Sequence, residues 1–286
     1  MLRVYTSQLI IFKIQKTETR KTETRKTEMK KAVTLTFGDQ AENHKGMEKY
    51  GVMAENGLSY DDICVIREWF NSYGAVTHII DLHNLLPESE REENKAWVLI
   101  VKNGVNTLLQ DENGANLLEK EQEALTLDTK AYMYGRVVNK NARHNLCFSS
   151  EHLDPDYEKG RGRVYAFEEV PILNAVREKL GQIGCEKVSQ LQIEGNYYYD
   201  TSKCGIGWHG DSERKIVVGL RLGDKIPLCY RWYQRSKPVS ETLEIYDLEH
   251  GDLYFMSEKA VGTDWKKKII YTLRHSAGCK KFIGTE

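Results

Sequence analysis

The C-terminal half of the chain contains seven short strand-like segments separated only by short turns. They follow a single predicted helix, which begins at Pro171 and which Gly181 ends. The segments cover residues 191–199, 204–209, 215–222, 228–234, 241–247, 252–256 and 268–274. So many short strands in succession are typical of two packed antiparallel sheets, as in a β-sandwich or a jelly roll.

The N-terminal half alternates between strand and helix patterns. Strands are predicted at 32–37, 76–81, 97–102 and 106–110, helices from Ser59 to Gly74 and at 119–125, and a loop at 86–94. The sequence therefore predicts an α+β protein. A small α/β region of unknown role covers residues 29–128, either as a separate lobe or as an elaboration of the core, and residues 129–286 form the β-rich domain.

Residues 16–28 repeat the pattern Lys-Thr-Glu-Thr-Arg almost unchanged. A tract of mixed charges without apolar residues cannot bury a core, so we expect residues 1–28 to be disordered or a solvated helix. Met29 directly precedes the first strand pattern, and it is an alternative start of the chain. Residues 1–28 are then a non-native extension without a functional role.

Composition limits the possible partners and the cellular location. The formal net charge of the 286 residues is −1, so contacts with nucleic acid require a local basic patch. The six cysteines have no CxxC spacing, which indicates reduced thiols and an intracellular protein, cytoplasmic or nuclear. No apolar stretch approaches the roughly 18 residues of a membrane span. We expect a monomer without membrane contact.

The most informative motif is His209-x-Asp211, within the segment 206–213. An imidazole and a carboxylate two residues apart on a strand lie on the same face and can bind one metal ion from one side. Together with a second histidine they form the facial triad of non-haem Fe(II) oxygenases, which leaves coordination positions open.

Four motifs in order resemble the AlkB family of 2-oxoglutarate-dependent dioxygenases. They are Asn196-x-Tyr198, His209-x-Asp211, the turn Leu-x-His-Gly-Asp at 248–252, and a last strand that reads Lys268-x-Ile-x-Thr-Leu-Arg274. The resemblance covers about residues 130–281. It implies a double-stranded β-helix (jelly-roll) core, Fe(II) held by His209 and Asp211, and 2-oxoglutarate bound by Asn196, Tyr198, Lys268 and Arg274.

The chain departs from the family at the second histidine, which is expected between the Gly-Asp turn and the last strand. The stretch 256–268 contains no histidine. His275 directly follows Arg274, so strand alternation directs it away from any pocket that Arg274 enters. Asp264, His275, water or no ligand at all remain alternatives for the third position.

Other residues are candidates for substrate binding. Glu213 stands where the family often places an acidic residue near the substrate base, and Trp208 offers a face for stacking. Arg231 and Arg235 flank an aromatic pair and are suited to a phosphate backbone.

The resemblance implies oxidative demethylation or hydroxylation of a base in DNA or RNA. Two alternatives remain. One is a catalytically inactive jelly-roll module that binds nucleic acid or protein, which the missing histidine would explain. The other is an oxygenase that acts on a protein side chain or a small molecule.

Overall fold

The fold was analysed in a computed structural model, which describes residues 30–245 and 248–284. The protein is an α+β structure in which sheets dominate and helices are few. The predicted extension 1–28 lies outside the described residues. None of the helices in the described ranges is long and apolar enough to cross a membrane.

The strands are β1 (Ala32–Gly38), β2 (Gln40–Glu42), β3 (Lys49–Gly51), β4 (Thr77–Asp81), β5 (Trp97–Val101), β6 (Lys130–Met133), β7 (Arg136–Asn139), β8 (His144–Ser149), β9 (Val164–Ala166), β10 (Gln192–Tyr198), β11 (Gly205–His209), β12 (Val217–Gly223), β13 (Leu228–Gln234), β14 (Lys237–Pro238), β15 (Leu243–Ile245), β16 (Leu253–Met256) and β17 (Thr272–Gly278). The α-helices are α1 (Tyr60–Ser72), α2 (Glu88–Arg91), α3 (Gly104–Leu109), α4 (Gly114–Glu123), α5 (Pro171–Leu180), α6 (Glu258–Val261) and α7 (Lys280–Ile283).

Two sheets form the body of the molecule. The large sheet has the order β4-β5-β16-β12-β1-β10-β8-β9, and the small sheet has the order β11-β17-β13-β14, with β15 also paired to β13. All neighbouring strands in these sheets are antiparallel, except that β8 and β9 are parallel.

The strand β1 joins the N-terminal region to the centre of the large sheet. It pairs with β10 on one side and with β12 on the other, along its whole length. The strands β4 and β5 extend the same sheet beyond β16. The predicted boundary at residue 128 therefore does not separate two units, because the N-terminal strands complete a sheet whose other strands come from the C-terminal half. The predicted small α/β region is thus part of the core.

The large sheet has two differently packed faces. On one face, alternate residues such as Leu35, Leu220 and Tyr197 pack in a core with the helices α1, α3, α4 and α5. On the other face, Val217 and Met256 pack against residues of the small sheet in a second core. Other residues on this second face are partly polar, and they line a cavity between the two sheets.

Most predicted elements are confirmed, with three corrections. The predicted strand 106–110 is the helix α3, because Val105 and Leu108 lie one turn apart and are both buried. The predicted loop 86–94 contains α2 and a short 3-10 helix. The last strand begins four residues later than predicted, at Thr272, because residues 266–270 are exposed and form no strand.

Candidate metal centre

His209, Asp211 and His275 come together at one side of the cavity. One potential ligand atom from each lies within 4.8 Å of the others, and no other group of three or more such residues was found in the described residues. The Oδ1 atom of Asp211 lies 3.5 Å from Nε2 of His209 and 3.6 Å from Nε2 of His275. Two imidazoles and one carboxylate thus converge on a single point.

The local backbone explains why the His-Gly-Asp sequence can present its side chains in this way. His209 ends the strand β11, whose pairing with β17 is irregular between Ile206 and His209. Gly210 passes so close to the turn at Gly262 that an added Cβ would lie 2.1 Å from its carbonyl oxygen. The N–H of Asp211 then donates to the carbonyl of Val261 over 3.0 Å, which fixes the loop after β11.

Hydrogen bonding orients the imidazole of His209. Its Nδ1 lies 2.8 Å from the carbonyl oxygen of Gly207 and donates to it, so that Nε2 faces Asp211 as a free acceptor. Burial and the nearby His275 lower the pKa of His209 to about 3, although the negative charge of Asp211 acts in the opposite direction. The ring is therefore neutral, as a metal ligand must be.

Arg214 holds three carboxylates around the site. It is buried, and its Nη2 donates to Glu194 Oε2 over 2.5 Å and to Glu213 Oε1 over 3.0 Å. Its Nε lies 3.7 Å from Oδ2 of Asp211. Burial alone would raise the pKa of Asp211, but His275, Arg214 and His209 lower it below the usual range. The carboxylate is thus charged, and its Oδ1 faces the two histidines.

Of the two candidates for the third position, His275 and not Asp264 lies beside His209 and Asp211. On β17, His275 lies directly between His209 on β11 and Tyr230 on β13. Alternation does place His275 and Arg274 on opposite faces, as predicted, but the assignment of the faces was wrong, because His275 faces the cavity. Asp264, the other candidate, forms an ion pair of 2.7 Å with Lys259 instead.

Arg274 and Lys268 do not reach the cavity. The guanidinium of Arg274 lies over the rings of Tyr233 and Trp265, 4.1 Å and 5.1 Å from their centroids, on the outer face of the small sheet. Lys268 is exposed in the loop before β17. The prediction that these two side chains bind 2-oxoglutarate in this cavity is corrected, because strand alternation directs Arg274 outward and Lys268 precedes the strand.

The cavity has a volume of about 700 Å³ and lies between the facing sides of the two sheets. Asn196 and Tyr198 of β10 line it, as the resemblance implies. The side chain of Asn196 is already engaged, because its Oδ1 accepts from Asn145 and Arg143 and its Nδ2 donates to Glu194 over 2.9 Å. One N–H of this amide is left for a ligand.

The four predicted substrate residues divide into two pairs. Glu213 and Trp208 line the cavity beside His209 and Asp211. Burial and the charge of Asp211 raise the pKa of Glu213. Arg231 and Arg235 do not line the cavity: Arg231 donates to the carbonyl of Ser240 over 2.9 Å, and Arg235 lies in the exposed turn after β13. Any contact they make with a substrate is therefore outside the cavity.

Sequence reasoning missed two arginines of this site. Arg214 follows Asp211 by three residues, and this spacing is a signal that an ion pair was possible. Arg221 of β12 also lines the cavity and is completely buried. In an otherwise apolar strand, Val-Val-Gly-Leu-Arg-Leu-Gly, a single arginine was the available signal, since a buried charge requires a partner.

The chain matches no profile of a known protein family. Over 254 aligned residues it is 48% identical to "Uncharacterized protein R156" of Acanthamoeba polyphaga mimivirus. The alignment covers 88% of this chain and 98% of the mimivirus protein. With such identity over nearly the whole length of the viral protein, the chain belongs to the same family as that mimivirus protein.

Proposed function

We propose that the protein is an Fe(II)- and 2-oxoglutarate-dependent dioxygenase that resembles the AlkB family and oxidises a base of DNA or RNA. The observation that carries this proposal is the convergence of His209, Asp211 and His275 at the wall of a cavity. Two imidazoles with one carboxylate are the donor set of non-haem Fe(II) oxygenases, and three protein ligands leave positions for a co-substrate and O₂.

The arrangement of strands supports the finer proposal of a jelly roll. Apart from the two-residue strand β14 of the small sheet, the chain from β10 onward visits the large and small sheets in the order large, small, large, small, small, large, small, through β10, β11, β12, β13, β15, β16 and β17. These are seven of the eight strands that a jelly roll needs. In the proposed jelly roll, β1 supplies the eighth strand, between β10 and β12. In the chain order of a jelly roll, the strand at this place would follow β17. In the proposed arrangement the N-terminal strand β1 takes that place in the sheet.

The residues of the site have separate roles in the proposed reaction. Bound iron and 2-oxoglutarate would supply the oxidation of a C–H bond by O₂, and an N-methyl base hydroxylated in this way loses formaldehyde. His209, Asp211 and His275 would hold the metal, and Arg214 orients Asp211 through its Oδ2. Leu228 and Met256 form apolar parts of the cavity wall, which limit the access of water.

A nucleic acid substrate is supported by the groups at the cavity. Trp208 and Trp265 offer aromatic faces, and Lys45, Lys49 and Lys266 line the same cavity. Aromatic rings beside lysines are suited to a stacked base and its phosphates. The six cysteines are all free, and we propose a reducing compartment, the cytoplasm or the nucleus, in which the chain acts as a monomer.

The proposed activity is tested by succinate formation. The purified protein is incubated with Fe(II), 2-oxoglutarate and O₂, with and without methylated DNA or RNA. We expect succinate to form, to increase with the right substrate and to be lost in His209→Ala. His152→Ala is the matched control, because His152 pairs with Glu169 outside the cavity.

A different result would favour the binding module. If the intact protein forms no succinate with any methylated nucleic acid, yet binds nucleic acid with strong salt dependence, the dioxygenase proposal is wrong. If succinate forms only with a peptide or a small molecule, the protein is an oxygenase but its substrate is not a nucleic acid.

A further inference from the structure

Arg221 is a buried cation for which the described residues provide no hydrogen-bond or ion-pair partner. Its relative exposure is 0%, and its Nε, Nη1 and Nη2 atoms all lack a hydrogen-bond partner among the described residues. The described residues also contain no carboxylate within ion-pair distance of it, and burial lowers the pKa of Arg221 although the charge of Asp252 opposes this. The side chain lines the cavity of the metal site.

An arginine in this position is costly for the free protein. The guanidinium stays protonated in proteins, so it cannot escape burial by losing its charge. An unpaired buried ion is strongly unfavourable unless an anion and hydrogen bonds compensate it. A planar guanidinium with five donors is suited to a carboxylate, which it can bind through two parallel hydrogen bonds.

The neighbours of Arg221 in the sheet add polar groups beside it. Arg221 lies directly opposite Thr34 of β1, and Thr34 lies directly opposite Asn196 of β10. Residues opposite one another in antiparallel strands lie on the same face. Arg221, Thr34 and Asn196 therefore form a row on the large sheet, and all three line the cavity.

We propose that Arg221, assisted by Thr34, binds the far carboxylate of a 2-oxo dicarboxylic acid whose 2-oxo acid end lies at the metal ligands. This inference rests on the proposed function for the identity of the ligand. It assigns the anion-binding role to a strand of the large sheet, not to the last strand that carries Lys268 and Arg274. It also gives the N-terminal strand β1 a part in the binding site.

The test compares two ligands and two arginines by calorimetry, with Fe(II)-loaded protein under anaerobic conditions. 2-Oxoglutarate carries the far carboxylate, and 2-oxopentanoate has a methyl group in its place. Arg221→Met should weaken 2-oxoglutarate binding by roughly 10- to 100-fold, the range for a lost charge-assisted pair, and leave 2-oxopentanoate binding unchanged. Arg274→Met is the matched control and should leave both affinities unchanged.

The folding of the variant is checked separately. Because Arg221→Met removes an unpaired buried charge, its melting temperature in the absence of ligand should equal or exceed that of the unchanged protein. A structural arginine would instead lower it. The proposal is overturned if Arg221→Met binds 2-oxoglutarate as tightly as the unchanged protein, or if both ligands weaken equally.

Glutarate separates this inference from the proposed function. It has two carboxylates but no 2-oxo group, and it is offered to metal-free protein. A rise in melting temperature with glutarate in the unchanged protein, absent in Arg221→Met, would support the anion site even if no succinate is ever formed. Equal succinate formation by the unchanged protein and by Arg221→Met would overturn the anion site and leave the dioxygenase intact.

Discussion

The two sheets contribute different chemistry to the two walls of the cavity. The small sheet carries His209 and His275 on the neighbouring strands β11 and β17, with Asp211 in the loop that follows β11. The large sheet carries Thr34 and Arg221, which are neighbours in space but lie in opposite halves of the chain. The wall of the small sheet that carries the candidate metal ligands, here called the metal wall, is thus built around a short local motif. The opposite wall exists only after distant strands have paired.

Arg214 connects the two walls, and its removal should have the largest effect. It links Glu194 of the large sheet to Asp211 beside the small sheet. Arg214→Met would leave buried carboxylates without their cation and should lower the free energy of unfolding by about 3–5 kcal/mol. Urea denaturation measures this. The control is Lys215→Met, next in the chain, whose partly exposed pair with Glu258 contributes less than about 1 kcal/mol.

A change confined to the metal wall should affect metal binding and leave the opposite wall intact. His275→Ala removes one of the three proposed ligands and should weaken Fe(II) binding by more than about 100-fold, or roughly 2.7 kcal/mol, since even the loss of residues behind metal ligands costs 10- to 100-fold. Asp264→Ala should leave the affinity unchanged, because Asp264 pairs with Lys259. Anaerobic Fe(II) titration of both variants measures this. The reverse ranking would show that the triad is assigned wrongly.

Two glycines allow the packing of the walls to be compared directly. Gly219 of the large sheet lies under the ring of Tyr254, where an added Cβ would come within 1.8 Å of Cζ. Gly207 of the small sheet has no heavy atom within 4 Å of the same position. Gly219→Ala should therefore destabilise the protein by about 1–3 kcal/mol through overpacking, and Gly207→Ala by much less. Equal shifts of the urea midpoint would mean that Tyr254 can move freely.

The sequence was informative where a function depends on neighbours in the chain. His209 and Asp211 are two residues apart, and their convergence was predicted from strand geometry alone. The start of α1 at Ser59 was likewise predicted, and Ser59 forms a capping box there with Asp62. Six of the seven predicted C-terminal strands lie within a few residues of their observed positions, because alternation and short turns are local properties.

The sequence was misleading where the site depends on which strands are neighbours. The insertion of β1 between β10 and β12 could not be predicted from pattern, because pairing over some 160 residues leaves no local signal. The inner and outer faces of the last strand were predicted the wrong way round. Arg274 was taken as the anion-binding residue, and this required His275 to face outward. The assumption that Arg274 binds the anion was unnecessary, since another arginine, Arg221, lines the cavity and has no hydrogen-bond partner among the described residues.

The smallest effect is expected at Lys268, which lies on neither wall. Its side chain is exposed, and only its backbone carbonyl is bound, by the N–H of Arg235 over 3.0 Å. Lys268→Ala should change the affinity for 2-oxoglutarate by less than about two-fold, because an exposed ammonium outside the cavity is screened by solvent. If the loop contacts a phosphate, the slope of nucleic acid affinity against salt concentration should fall by about one. A loss of 2-oxoglutarate binding larger than that of Arg221→Met would mean that the loop before β17 folds over the cavity and that Lys268, not the large sheet, holds the anion.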